Sequence, residues 1–483
     1  MLETLTNYIG GQWLAASTSK ALNVTNPATG ELLARVPLSG RSDVDRAVTV
    51  ATSAFDTWRQ VPAVQRARYL FRFKELLEKR AEELARTVTL EHGKTLDESR
   101  GSVRRGIENV EHACGIPTLM MGDTLEDVAA GIDCETIRQP IGVFAAVAPF
   151  NFPAMVPLWF WPYALATGNT FIVKPSEQVP MSQQLLFQIA EESGLPAGVL
   201  NLVHGDRDVV DALLDHPQLA GISLVGSTPV ARHVYKRAAE QGKRVQALGG
   251  AKNHVVVMPD ADLDKSVAVA VESCFGCAGQ RCLAGSVIIA VGEVYDELRE
   301  RLVAASRALV LGNGMDPATS MGPVVSGRHK DRILSMVEKG IQEGATLALD
   351  GRRATVKGYP NGHWIGPIIF ADVTDEMTLA RDEIFGPVMV LRRAATLGEA
   401  ISMIRRSEFA NATSIFTSSG KAAREFRHAV GVSMIGVNIG VAAPMAPFPF
   451  GGTKGSFFGD TKAHGKDSIR FYTDQKVVIS RWF

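Results

Sequence analysis

Apolar residues recur at helical spacing over charged faces through VDRAVTVATSAFDTWRQV and AVQRARYLFRFKELLEKRAEELARTVTLEHG. That period predicts amphipathic helices across roughly the first hundred residues. From Gly142 the pattern changes. GVFAAVA and NTFIVKP predict strands, PMSQQLLFQIAEESG a helix ending at Gly194, and VLNLVHG a further strand. A helix near DVVDALLDHP, the strand AGISLVG, the helix TPVARHVYKRAAEQG and the strand RVQAL follow. Strands alternating with helices at this spacing predict parallel βαβ units. They predict an α/β protein with a doubly wound sheet of the nucleotide-binding type.

A second alternation begins after Gly249-Gly250. It runs through the helix LDKSVAVAVESCF, the strand CLAGSVIIAVG and the helix EVYDELRERLVAASRAL, then AISMIRRSE as helix and ATSIFTS and MIGVNIG as strands. This predicts a second α/β domain. DVAAGIDCETIRQPIGV and the tail SIRFYTDQKVVISRWF alternate as strands do, and the tail is expected to add a strand to another chain. No internal repeat or low-complexity linker is visible.

Ile141 to Val173 contains no charged residue, a length that could suggest a membrane helix. Pro149, Pro153, Pro157 and Pro162 interrupt it, and repeated prolines break a single helix. The expected reading is a buried strand, a turn, a short helix and another strand.

Composition narrows the class. The 483 residues are 46% hydrophobic and 21% charged, ordinary for a soluble globular protein with two or more domains. Lys+Arg and Asp+Glu balance at 51 each, so no bulk attraction to nucleic acid or to an anionic membrane is expected. Five cysteines argue against a disulfide framework and for a reducing compartment. MLETLTNYIGGQW lacks the basic-then-apolar pattern of a secretory signal, so a cytoplasmic location is expected.

Three of the five cysteines fall within CFGCAGQRC, Cys274 to Cys282. As a metal site this supplies three thiolates, whereas structural zinc and iron–sulfur sites commonly take four ligands. Cys274 and Cys277 sit late in an apolar helical run, where buried thiols are common packing residues. Cys282 follows a glycine turn and adjoins Arg281, whose charge can raise a thiolate fraction. On spacing alone Cys282 is equally a nucleophile or a small buried residue. In APFNFP, Asn151 places one amide in an apolar turn, either as a turn brace or as an N–H donor to an oxyanion. In KPSE, Lys174 and Glu177 follow a strand and could hold the hydroxyls of a ribose, although by themselves a solvated loop explains them better. In VGSTPVA, Gly226 and Ser227 open a helix and could meet a pyrophosphate, but the full G-x-G-x-x-G fingerprint is absent.

Taken in order, APFNFP, KPSEQVP, LVGSTPVA, ALGGAKN, GQRC and RDEIFGPV resemble the aldehyde dehydrogenase superfamily. The resemblance implies an aldehyde dehydrogenase-like fold. A Rossmann-type NAD-binding domain would occupy residues 1–122 and 144–248, a catalytic domain 249–440, and a small β oligomerisation arm 123–143 and 460–483. It implies that Cys282 is the nucleophile and that Asn151, with the Cys282 N–H, forms the oxyanion hole. Cofactor contacts would come from Ala148, Phe150, Lys174, Glu177, Ser227, Glu383 and Phe385. Glu177 favours NAD over NADP, because a carboxylate there repels a 2′-phosphate. No metal site is implied.

One departure shapes the function. Hydrolytic members carry a glutamate before LGG that activates the deacylating water, and here that position is Ala247. Alanine cannot act as a general base, so a thioester on Cys282 needs a thiol to release it. GAKNHVVVMPDAD, FGCAGQRC, RGIENVEHACGIPTLMMGD and GKDSIRFYTDQKVVISRWF resemble the CoA-acylating methylmalonate-semialdehyde dehydrogenase branch. That implies oxidative decarboxylation of methylmalonate or malonate semialdehyde, with coenzyme A as co-substrate and Arg105 and Arg281 gripping the substrate carboxylate. A homodimer or homotetramer is expected. PFPFGGTKGS instead resembles ordinary hydrolytic members, which keeps a second enzymatic reading: hydrolysis to a free acid, with Glu272 or Glu383 activating water. A non-enzymatic relative that uses the fold for structure or binding is a third reading, and a metal-cluster protein a fourth.

Overall fold

The computed structural model describes residues 4–483. Residues 1–3, part of the segment read for a secretory signal, lie outside it. No described helix is long and apolar enough to cross a membrane.

The first sheet has eight strands, with Val143–Val147, Thr170–Lys174 and Leu200–Leu202 running parallel to one side and Leu219–Val225 and Arg244–Leu248 to the other. Strand order therefore reverses between Val143–Val147 and Leu219–Val225, the kind of switch point where ligands enter open α/β sheets. Every residue of VFAAV is buried. Val143, Ala145 and Val147 pack into one core and Phe144 and Ala146 into another. Helices covering both faces explain the uninterrupted apolar run of a parallel strand. The uncharged stretch from Ile141 to Val173 forms a strand, a turn with a short 3-10 segment, the helix Trp161–Thr167 and the strand Thr170–Lys174, as its prolines predict.

The second sheet has seven strands. His254–Val257, Val287–Val291, Val388–Ala394, Ala412–Phe416 and Met434–Val437 are parallel neighbours around a separate apolar core. A three-stranded antiparallel sheet joins Thr124–Ala129, Ile132–Pro140 and Thr473–Arg481.

Three expectations need correction. Residues 4–40 hold strands and no helix: Asn7–Ile9, Gln12–Leu14, Ala21–Thr25 and Leu32–Pro37. They are too short to display a period. Only Thr473–Arg481 of the tail is a strand, paired on one side with Ile132–Pro140 of its own chain, whereas Gly465–Tyr472 before it is a helix with Ile469, Phe471 and Tyr472 buried. Cys282 does not open a strand, since the strand begins at Val287. A turn closed by the Ala284 N–H on the Arg281 carbonyl, at 3.0 Å, holds Cys282 ahead of it.

Candidate active site

The helix Leu263–Phe275 buries Cys274 in the second core. Beyond it the chain kinks, with Cys277, Ala278 and Gly279 at φ of 52°, 51° and 71°. Left-handed backbone at non-glycine residues persists only where its surroundings enforce it. Gly279 shows the enforcement. A Cβ there would stand 2.0 Å from the Gly386 carbonyl oxygen. The glycines of AGQRC and EIFGP thus let two loops touch backbone to backbone, one carrying Cys282 and the other Glu383 and Phe385.

Cys282 opens onto a cavity of about 440 Å³, whose wall also includes Arg105, Arg281, Cys277, Glu98, Glu272, Phe152, Trp159, Phe450 and His464. Cys277 is therefore a cavity residue as well as a packing residue. Arg281 runs back along this wall, with Nη2 3.6 Å from the Cys277 sulfur and 3.7 Å from Glu98 Oε1. Gly276 makes room for it, since a Cβ there would lie 2.6 Å from Nη2. Arg105 is exposed on the helix Leu96–Cys114 and, among the described residues, forms no ion pair within 4 Å. Two guanidiniums thus share one cavity with the thiol.

Sequence pattern alone does not lead to Glu98, although TLDE is a capping box whose side chain can be placed in advance. Its Oε2 accepts the Thr95 N–H at 2.9 Å, and Oε1 accepts the Cys277 N–H at 2.5 Å. One carboxylate therefore caps a helix and ties the cysteine loop to it.

Asn151 is buried, and its Nδ2 donates to the Gln280 carbonyl at 3.0 Å. An amide carries two N–H donors, so one is left over. The Asn151 backbone carbonyl accepts the buried Lys94 ammonium at 2.5 Å. Arg281 does not by itself activate the thiol. Burial and, next, the Glu383 charge push the Cys282 thiol up to about 12, against the opposing pull of Arg281. The thiol is partly open to the cavity, but protein surrounds it.

The remaining residues gather at the C-terminal ends of the first sheet's strands. Lys174 Nζ and Glu177 Oε2 are 2.8 Å apart. Burial raises the Glu177 carboxyl, but the Lys174 ammonium outweighs it and holds the group below its ordinary range. Ala148, just past Val143–Val147, donates its N–H to the Lys174 carbonyl at 2.9 Å. Ser227 is exposed at the N-cap of Thr228–Glu240, where its hydroxyl caps nothing. Phe150 and Phe385 meet edge to face at 5.7 Å. Phe385 has φ of 57°, and the Glu383, Ile384 and Phe385 carbonyls are held by Arg332 and His329. Glu383 accepts the Ala251 N–H at 2.8 Å, and burial pushes its carboxyl up to about 7. Ala247 is fully buried in Arg244–Leu248. Among the described residues no three His, Cys, Asp or Glu side chains gather as metal ligands.

The aldehyde dehydrogenase family model matches residues 13–478. Malonate-semialdehyde dehydrogenase 2 of Geobacillus kaustophilus is 53% identical over 482 residues, spanning 100% of this chain and 99% of its own. The crystal structure of methylmalonate-semialdehyde dehydrogenase from Oceanimonas doudoroffii superposes with a TM-score of 0.98 at 45% identity, covering 100% of this chain and 99% of that one. An NAD+ complex of aldehyde dehydrogenase from Bacillus cereus gives a TM-score of 0.95 at 31% identity, covering 99% of this chain and 97% of its own. Matched over nearly its whole length by the family model and by relatives this similar, the chain belongs to the aldehyde dehydrogenase family.

Proposed function

We propose that this chain is an NAD-dependent, CoA-acylating dehydrogenase that converts malonate or methylmalonate semialdehyde to acetyl-CoA or propionyl-CoA. The observation that carries the reading is the cavity joining the Cys282 thiol to Arg281 and Arg105. An aldehyde bearing a carboxylate fits it, and two guanidiniums suit that carboxylate better than an apolar tunnel would. Malonate-semialdehyde and methylmalonate-semialdehyde dehydrogenases among the relatives support the same substrate class.

The residues present suit NAD. The Lys174–Glu177 pair offers a donor and an acceptor to a ribose, and the free Ser227 hydroxyl lies at a helix N-terminus. Gly250 keeps a cradle open beside Glu383, where a Cβ would meet Oε2 at 2.5 Å. When bound, the nicotinamide supplies the hydride acceptor.

Cys282 Sγ attacks the aldehyde carbon, and the spare Asn151 N–H and the Cys282 N–H receive the oxyanion. After oxidation Cys282 carries the acyl group as a thioester. Its carbonyl lies β to the substrate carboxylate, so CO2 can leave with the electrons held as an enolate. The enolate takes up a proton at carbon, and acetyl or propionyl stays on sulfur. Ala247 offers no base to activate water, and the CoA thiolate takes the acyl group.

Hydrolysis is the second reading, favoured by Glu383 titrating near neutrality beside Cys282 and by Glu272 in the cavity wall. Peptide mass spectrometry after malonate semialdehyde and NAD, without CoA, separates the two. An acetyl group on Cys282 that CoA discharges is expected, and a bare Cys282 with accumulating free acid would favour hydrolysis.

Among the described residues the tail strand leaves one sheet edge unpaired, with Val477 and Ile479 exposed. That edge suits a second copy of the chain, in a homodimer or homotetramer. All five cysteines are free, which suits the cytoplasm.

A further inference from the structure

The carbonyl oxygen of Cys282 accepts two side-chain amides, Asn253 Nδ2 and Asn411 Nδ2, each at 2.9 Å. The two residues immediately precede the neighbouring parallel strands His254–Val257 and Ala412–Phe416. Both are buried. Asn253 is fully committed: Nδ2 also donates to the Ala284 carbonyl at 3.0 Å, and Oδ1 accepts the Ala412 N–H at 3.0 Å. Those partners fix which end of the amide is nitrogen.

The preceding peptide is pinned too, because the Arg281 carbonyl accepts the Ala284 N–H. Both peptide planes flanking the Cys282 Cα are therefore held. Each plane is rigid, so fixing both fixes φ and ψ, and with them the directions of the Cys282 N–H and of Cβ. Among the described residues no backbone carbonyl accepts that N–H, and its own sulfur lies within its reach. It is a backbone donor held in place beside the attacking atom.

We propose that Asn253 and Asn411 are positioning residues for Cys282, clamping its carbonyl so that its N–H stays aimed at the oxyanion formed when sulfur attacks the substrate. The proposal rests on Cys282 as nucleophile. A preorganised donor needs no reorganisation as charge develops, and small misplacements near the reacting atoms reduce rate steeply. The same clamp serves twice, on aldehyde attack and on CoA attack at the thioester.

Asn411 is the member to test, because Asn253 also ties Ala412. Two rates are compared in wild type, Asn411→Ala and Asn411→Leu. One is single-turnover NADH formation from malonate semialdehyde without CoA. The other is alkylation of Cys282 by iodoacetamide, a displacement that forms no oxyanion. Loss of the clamp is expected to slow NADH formation at least about tenfold while alkylation stays within about twofold. If Asn411→Ala does not fold, the near-isosteric Asn411→Leu carries the same comparison. Unchanged NADH formation overturns the proposal, and so does a parallel fall in both rates, which a general loosening would give. A wild type with no NADH burst abolished by Cys282→Ser would instead overturn the nucleophile reading itself.

Discussion

Glu98 Oε1 lies 3.7 Å from Arg281 Nη2, a carboxylate of the protein at the wall of the cavity where the proposed substrate brings its own. Arg281 is thus shared, whereas Arg105 has no ion pair among the described residues. Replacing either arginine by leucine should raise KM for malonate semialdehyde about 10- to 100-fold, the range for losing a hydrogen bond to a charged group. Turnover of propanal, which has no carboxylate, should change far less. Steady-state kinetics on both aldehydes check this. An Arg105→Leu variant with unaltered catalytic efficiency on malonate semialdehyde would remove Arg105 from the site.

The Lys174–Glu177 pair sets cofactor choice. Glu177 is held ionised by Lys174, so it meets a 2′-phosphate as a negative charge. Glu177→Ala removes the repulsion and leaves the Lys174 ammonium without its carboxylate. The preference for NAD over NADP, measured as the ratio of kcat/KM values, should narrow by about tenfold or more. An unchanged ratio would mean that the pair does not face the ribose.

The thiol itself gives a pH prediction. Burial raises the Cys282 thiol first and the Glu383 charge adds to it, so the reactive thiolate is scarce at neutral pH. Without cofactor, alkylation should keep accelerating beyond pH ~9 rather than level off near the ordinary thiol value of about 8.5. Glu383 titrates at about 7, so its charge is present at pH ~8 and largely absent at pH ~6. Glu383→Gln should therefore speed alkylation at the higher pH and change little at the lower one. A plateau below pH ~8.5 would contradict the raised thiol.

Much of the chemistry is legible in the chain because it lies in contiguous segments. APFNFP and KPSE each carry a side chain at or just past the end of a strand that apolar periodicity finds, and AGQRC is marked by its glycine turn and its arginine. The long helices and the doubly buried strands are visible for the same reason. Glu98, Asn253 and Asn411 are not. Their partners lie far away in sequence, as with Glu98 and Cys277 or Asn411 and Cys282. Only TLDE announces its residue locally. Periodicity also misplaces the start of the strand after Cys282, because CLAGSVIIAVG is apolar throughout and a turn stabilised by one backbone hydrogen bond does not interrupt that pattern.

The central claim is that a thiol, not water, releases the acyl group from Cys282. It is tested most directly by following NADH formation from malonate semialdehyde and NAD with and without CoA. One equivalent of NADH per active site without CoA, and sustained turnover to acetyl-CoA with it, is the predicted result. Sustained turnover to a free acid in the absence of CoA would contradict it and would make Glu383 or Glu272 the base that Ala247 cannot be.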